Sequence, residues 1–378
     1  MTAAATKPAG ADWVELADRL GPVFAERAER RDDADDFAAE NFQDLKRARA
    51  PSACIPAELG GGGASYRDLA DFLRRLAFYC GSTALAFSMH SHVTATAVWR
   101  WRNDKAPLEP LLRKIADQQL ILISSGGADW LESSGTAEAV EGGFRVRGRK
   151  PFASGSPAGD LLMTSAVWND PAGGATVLHF PVPLKAEGVS MAETWRCLGM
   201  RATGSNDLVL DGVFVPEAAV SIRRPKGKWH RLYHIIVLTA LPLIYTVYVG
   251  IAEAARQIAL AEAVSRRDDP AVQLAAGEMD TELSAARIAL ERMLALAQTE
   301  QPSPEITNEV LMARTLAARG AIRTVEMALE LGSGRGYYRR TGLERRFRDV
   351  QAARYHPLQQ PAQRRYSGRV ALGLPIDG

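Results

Sequence analysis

Proton chemistry in this 378-residue chain falls to its histidines, of which there are six. His90 and His92 lie in Ser88-Met-His-Ser-His-Val93, and His356 lies in Ala353-Arg-Tyr-His-Pro357, just after Arg348-Asp349. Histidine changes charge near neutral pH, so it can hold or relay a proton at a reacting centre. His356 and His92 are the candidate catalytic residues, with His90 a weaker third because a single histidine is commonly an ordinary core residue. Arg348-Asp349, with Glu344 and Arg345 nearby, reads as a structural ion pair in a turn. Cys54, Cys80 and Cys197 are too few and too scattered for a disulfide framework or a zinc site, so no metal is expected and a reducing, cytoplasmic setting fits.

These residues must be positioned by three regions. From Asp12 to about Gln118 the periodicity is helical: Leu69, Phe72, Leu73 and Leu76 fall on one face, with Ser65 as the N-cap and Asp68 three residues on. From about Leu120 to Ile222 short strands alternate with Gly, Pro, Asn and Asp turns, which suggests a compact β-barrel or sandwich. After the basic linker Arg223–Trp229, helices return: Ala271–Gln298 is long and rich in Ala and Leu, and Ser303-Pro304-Glu305 starts another that ends near Gly332. The expected domains are 1–119 (helical), 120–222 (β) and 223–378 (helical bundle).

Net charge is +2, which implies no broad attraction to nucleic acid. Residues Met1–Asp12 have no apolar core for a signal peptide and read as a disordered lead-in. Ile235–Ala252 runs eighteen residues without a charge, at the lower limit for a membrane span. Pro242 interrupts it, Thr239, Tyr245, Thr246 and Tyr248 dilute it, and the expectation is a helix buried on all sides in a protein without a membrane partner.

Four local patterns resemble the acyl-CoA dehydrogenase superfamily along nearly the whole chain. They are Ile55-Pro-Ala-Glu-Leu-Gly-Gly61; Lys150-Pro-Phe-Ala-Ser-Gly155; Leu198-Gly-Met-Arg201 followed by Leu208–Pro216; and Gly332-Ser-Gly-Arg-Gly-Tyr337 with Leu343–Asp349. The resemblance implies an α+β fold: an N-terminal helical domain, a central β-barrel domain and a C-terminal four-helix bundle, assembled as a homotetramer. It implies FAD, or alternatively FMN or a reduced flavin supplied by a reductase. Ser124, Ser125, Phe152 and Ser154 would line the isoalloxazine, supplying small hydroxyls and an apolar wall. Arg266 resembles the arginine that reaches the flavin pyrophosphate of a neighbouring subunit, and a guanidinium suits phosphate as a forked donor. Gly332, Gly334 and Gly336 would permit close backbone approach to the cofactor. They follow a helix rather than a strand, so they are not a dinucleotide-binding loop.

The common dehydrogenases of this family carry a catalytic glutamate about eight residues after the Arg-Asp pair. Here that neighbourhood reads His356-Pro357, and Leu238–Leu243, the alternative location, has no carboxylate either. A His-Pro there resembles the flavin-dependent monooxygenase branch, in which a histidine near the flavin edge can stabilise a peroxide or relay a proton. The expectation is a flavin-dependent oxidoreductase acting on an acyl-CoA or a related small organic substrate. The alternatives are a two-component monooxygenase using reduced flavin and oxygen, and a non-catalytic flavin-binding or scaffold homologue. Its partner would be a flavin reductase or an electron-transfer flavoprotein.

Overall fold

The computed structural model describes residues 12–377; the expected lead-in, apart from Asp12, lies outside the described residues. Asp12 caps α1 (Trp13–Asp33) by accepting from Val14 and Glu15 N–H, both at 3.0 Å. Next come α2 (Ala39–Arg47), α3 (Tyr66–Tyr79), α4 (Gly81–Asn103) and α5 (Glu109–Gln118). Ser65 and Asp68 form a reciprocal capping box at the start of α3, which satisfies two otherwise orphan amides. Edge-to-face contacts tie Trp13 to Phe72, Phe72 to Phe87 and Phe42 to Phe87 at 5.9–6.3 Å. Each such pair adds about 0.5–1.5 kcal/mol beyond the area it buries, so this aromatic chain fixes α1–α4 as one body.

The strands are β1 (Leu122–Ser124), β2 (Thr136–Val140), β3 (Gly143–Lys150), β4 (Leu161–Asp170), β5 (Gly174–Pro183), β6 (Val189–Ala192), β7 (Asp207–Pro216) and β8 (Ile222–Pro225), with a short helix α6 (Gly126–Asp129) after β1. They form one eight-stranded mixed sheet ordered β6-β7-β3-β2-β4-β5-β8, with β1 parallel to β4. The turn between β2 and β3 is Glu141-Gly142, and Gly142 takes the positive φ that such a tight hairpin requires. The basic segment expected as a linker begins inside the sheet as β8. Its Arg224 is almost fully buried, donating to the Leu131 and Trp130 carbonyls at 2.7 and 3.0 Å and to His179 Nε2 at 3.0 Å.

The C-terminal helices are α7 (Arg231–Ala263), α8 (Pro270–Thr299), α9 (Pro304–Gly336), α10 (Leu343–Val350) and α11 (Gln360–Ala371). Pro242 does not interrupt α7, which runs through it as one helix of 33 residues. Packing against α3, α4, α8 and α9 holds the helix together there, and burial overrides the local penalty of proline. By length and composition α7 is apolar enough to cross a bilayer, yet 94% of its apolar window is buried in the protein. Ser303 and Pro304 open α9 as the sequence predicts, with Ser303 Oγ accepting from Ile306 N–H at 3.2 Å. The helix breaks at Ser333 (φ 53°, ψ −151°), between two of the three glycines.

Candidate active site

His90 and His92 leave α4 in different directions. The buried His90 ring accepts the Leu122 N–H at Nδ1 (3.0 Å) and donates from Nε2 to the Pro51 carbonyl (2.8 Å). These partners fix the tautomer with the proton on Nε2 and pin β1 to α4. Burial pushes its pKa down to about 4. The third histidine of the sequence reading is thus a structural bolt. His92 is equally buried and also held at about 4, first by desolvation and then by His90. Its ring makes no hydrogen bond among the described residues. It lies on the face of α4 that carries Thr96, whose hydroxyl meets Thr239 of α7 at 2.7 Å.

His356 joins this face from the far end of the chain. Its Nε2 lies 2.5 Å from the Tyr248 hydroxyl, and its ring packs on Tyr248 and Tyr245 at 5.6 and 6.1 Å between centroids. Burial, then the Arg314 charge, then His92, hold its pKa down at about 3. The two candidate catalytic histidines are therefore close enough for the charge of one to oppose that of the other, and both are neutral at physiological pH. The turn that carries His356 is gripped by its main chain: Tyr245 donates to the Ala353 carbonyl at 2.7 Å, and Arg314 donates to the His356 carbonyl. Arg314 is itself buried, with its guanidinium 5.0 Å from the Tyr245 ring centroid. Among the described residues no carboxylate hydrogen-bonds either ring.

The proposed flavin-lining residues gather around the end of β1. The turn after β3 packs beside it: a Cβ on Gly155 would sit 3.5 Å from Ile123 and 3.7 Å from the Ala86 carbonyl of α4. Ser154 is half-buried and its hydroxyl meets Ser205 at 2.7 Å, which in turn meets Thr203. Phe152 adopts a positive φ of 57° and remains 59% exposed, edge-on to Trp195 at 6.1 Å. A non-glycine residue held at positive φ with its ring turned outward is a strained, outward-facing position. The Ser125 hydroxyl, in contrast, is committed to Asp129 (2.7 Å) and Thr164 (2.8 Å). That network centres on Lys150, fully buried, whose Nζ bonds Asp129 at 2.8 Å and the Ser165 carbonyl at 2.6 Å. Lys150 thereby tethers the loop that follows Ser124 and Ser125.

Arg348 and Asp349 connect the two sets. Arg348 forms a forked pair with Asp32 of α1 at 2.5 and 3.1 Å and also bonds Glu344. Asp349 accepts the Met200 N–H, and burial raises its pKa to about 6. Met200 in turn accepts from Trp195 Nε1 at 3.2 Å, and Trp195 backs Phe152. Gly199 is required here, because a Cβ would lie 2.2 Å from the Arg348 carbonyl. The chain Phe152–Trp195–Met200–Asp349 thus couples the aromatic wall to the segment that delivers His356.

A third group lies at the break in α9. Arg266 donates to the Leu331 carbonyl at 2.7 Å, immediately before Gly332. Gly332 is buried against Leu343, whereas Gly334 is exposed with open space where a side chain would be. The structure brings Arg266 to this glycine break and keeps Arg335, Tyr337 and Tyr338 exposed beside it. Sequence reasoning missed Tyr245, Tyr248 and Arg314. The only available signal was two tyrosines spaced i, i+3 in an otherwise apolar run.

An acyl-CoA dehydrogenase N-terminal domain model matches residues 17–117 and an acyl-CoA dehydrogenase C-terminal domain model matches residues 245–361. The acyl-CoA dehydrogenase homologue YdbM of Bacillus subtilis (strain 168) is 30% identical, covering 93% of this chain and 94% of that relative. The chain belongs to the acyl-CoA dehydrogenase family. Within that family it is also similar to the amino sugar nitrososynthase DnmZ of Streptomyces peucetius (28% identity; 97% and 94% of the two chains) and to the dibenzothiophene monooxygenase of Mycolicibacterium goodii (26%; 93% and 90%). A solved structure of KijD3, in complex with FMN and a dTDP-linked amino keto sugar, superposes with a TM-score of 0.87 at 26% identity, covering 100% of this chain and 98% of that one. The protein is a flavin-dependent oxidoreductase of the acyl-CoA dehydrogenase family, with relatives in its monooxygenase branch.

Proposed function

We propose that the protein is the oxygenating component of a two-component monooxygenase. It would take reduced FMN from a separate reductase and oxidise a small organic substrate with molecular oxygen, as a cytoplasmic homotetramer. The observation that carries this reading is the neutral His356, in the neighbourhood where the resemblance puts the dehydrogenases' glutamate, with His92 near enough for its charge to act on it. Removing an α-proton from a thioester calls for a base with a free lone pair at the substrate. His356 has a tyrosine hydroxyl on Nε2 and, among the described residues, no carboxylate partner to raise its basicity.

The residues present fit a flavin. Phe152 and Trp195 form an apolar wall, Ser124 and Ser154 hold small polar groups at the strand ends, and Arg266 at the α9 break offers a cation to a phosphate. Reduced flavin, when bound, supplies the electrons that divide O2 between the substrate and water. The protein's part is to bind and orient, to exclude water through the buried Tyr245–Tyr248 surface, and to hold a proton donor at the histidine pair. Exposed apolar residues on α8 and α9, among them Leu274, Ile288, Met312 and Leu316, support assembly of several copies through the helical bundle.

Anaerobic titration of the purified protein with reduced and oxidised FMN and FAD tests this. Reduced FMN is expected to bind more tightly than oxidised FMN, and acyl-CoA thioesters are expected to leave oxidised flavin unbleached. A protein that purifies with tightly held FAD and bleaches with an acyl-CoA would be a dehydrogenase.

A further inference from the structure

The phenol of Tyr248 decides which nitrogen of His356 carries the proton. Tyr248 is fully buried, and His356 Nε2 is the only hydrogen-bond partner of its hydroxyl among the described residues. Two arrangements share that contact. In one, Tyr248 O–H donates to a bare Nε2. In the other, Nε2–H donates to the phenol oxygen, and the phenol proton is then left buried with no acceptor. An unmade hydrogen bond of this kind weighs against the second arrangement by about tenfold or more in population. Burial also keeps the phenol protonated, raising its pKa well above the usual tyrosine value. His356 is half-buried, and its Nδ1, without a protein partner among the described residues, is not a sealed atom. A proton there can reach solvent or a ligand, whereas the phenol proton of the second arrangement, on the fully buried Tyr248, cannot.

We propose that Tyr248 is a positioning residue that locks His356 as the Nδ1–H tautomer, so that the ring offers the site a donor and no acceptor. This inference deepens the monooxygenase reading for its role in turnover, but the lock itself does not depend on that reading. It divides the labour between the two histidines. His356 offers a hydrogen bond from Nδ1 and cannot take up a proton there, because Nδ1 is already protonated and Nε2 is occupied. Proton acceptance falls to His92, whose ring nitrogens have no hydrogen-bond partner among the described residues. Arg314 and Tyr245 complete the lock by fixing the carbonyls of His356 and Ala353, so the ring cannot turn away by moving its backbone. His90 carries the opposite tautomer, protonated at Nε2, with two main-chain partners to hold it.

Magic-angle-spinning NMR of the full chain labelled with 15N-histidine reads both tautomers directly. The His356 signals are assigned by their loss in His356→Asn. In the unmodified protein His356 should show a protonated Nδ1 and a bare Nε2, while His90 shows the reverse and serves as the internal reference. Tyr248→Phe should move the His356 tautomer ratio toward Nε2–H by about tenfold, the worth of one hydrogen bond, and leave His90 unchanged. A His356 protonated at Nε2 in the unmodified protein overturns the proposal even if the variant fails to fold, and so does a tautomer ratio indifferent to Tyr248→Phe. If the lock is found but reduced flavin does not bind, the monooxygenase reading falls and the lock stands.

Discussion

His90 and His92 sit two residues apart on α4, equally buried and each with a pKa near 4, yet they occupy two different kinds of region. At the α4–β1 junction both nitrogens of His90 are paired with main-chain groups. At the α4–α7 junction the His92 ring has none among the described residues, and it is near enough to His356 for their charges to oppose. Depressed basicity is common to the two regions and so does not distinguish them. What distinguishes them is whether the polar atoms are already satisfied. A buried histidine with both nitrogens paired is a fastener; one with free nitrogens still has something to offer a ligand.

The contrast can be attacked from its largest consequence downward. His356→Ala should lower substrate oxygenation by about 10²- to 10³-fold, the range typical for removing a positioned hydrogen-bond donor, with reduced-flavin affinity changed by less than about twofold. Stopped-flow turnover and anaerobic titration measure the two quantities; an unchanged rate removes His356 from the site. His90→Leu should leave the Leu122 N–H and the Pro51 carbonyl buried without partners and cost about 2–4 kcal/mol of stability. His92→Leu, which breaks no bond, should cost under about 1 kcal/mol. Equal losses in denaturant midpoint would erase the distinction between the two regions.

Acid should act on both. Each folded pKa lies below the unfolded value of about 6.5, so the unfolded chain binds more protons between the two. Stability is therefore fully present above pH 6.5 and is lost as pH falls toward 4. By pH 5 each of the two histidines should cost on the order of 1–2 kcal/mol. His90→Leu should flatten this slope by its own share, measured as the melting temperature of the variant and parent from pH 7.5 to 5. An unaltered slope would mean that His90 does not titrate as its burial implies.

Much of the scaffold was legible because its signals are local. Ser65 and Asp68 cap α3, and Ser303 and Pro304 open α9, as patterns within a few residues predict. His356 and His92 could be picked out by type and by the absence of a glutamate, and the fold does bring them together. What the pattern did not disclose depends on burial between distant segments. Tyr248 looked like dilution of an apolar helix until a residue 108 positions later supplied its partner. Arg224 looked like part of a basic linker until Trp130 and Leu131 supplied buried carbonyls. Ser125 looked available to a cofactor, and only the fold shows its hydroxyl committed to Asp129 and Thr164.

The grip on residues 353–356 has a consequence for how such a catalyst can be altered. Tyr245 and Arg314 hold carbonyl oxygens, which every amino acid possesses, and Asp349 holds the preceding turn to Met200. None of these hydrogen bonds reads the identity of the side chain at 356. The position is a socket: its placement is guaranteed by the surroundings, while its chemistry is left to whichever residue is plugged in. A single codon there, together with the one for Tyr248, can therefore retune the reactivity of the site without rebuilding the architecture that supports it.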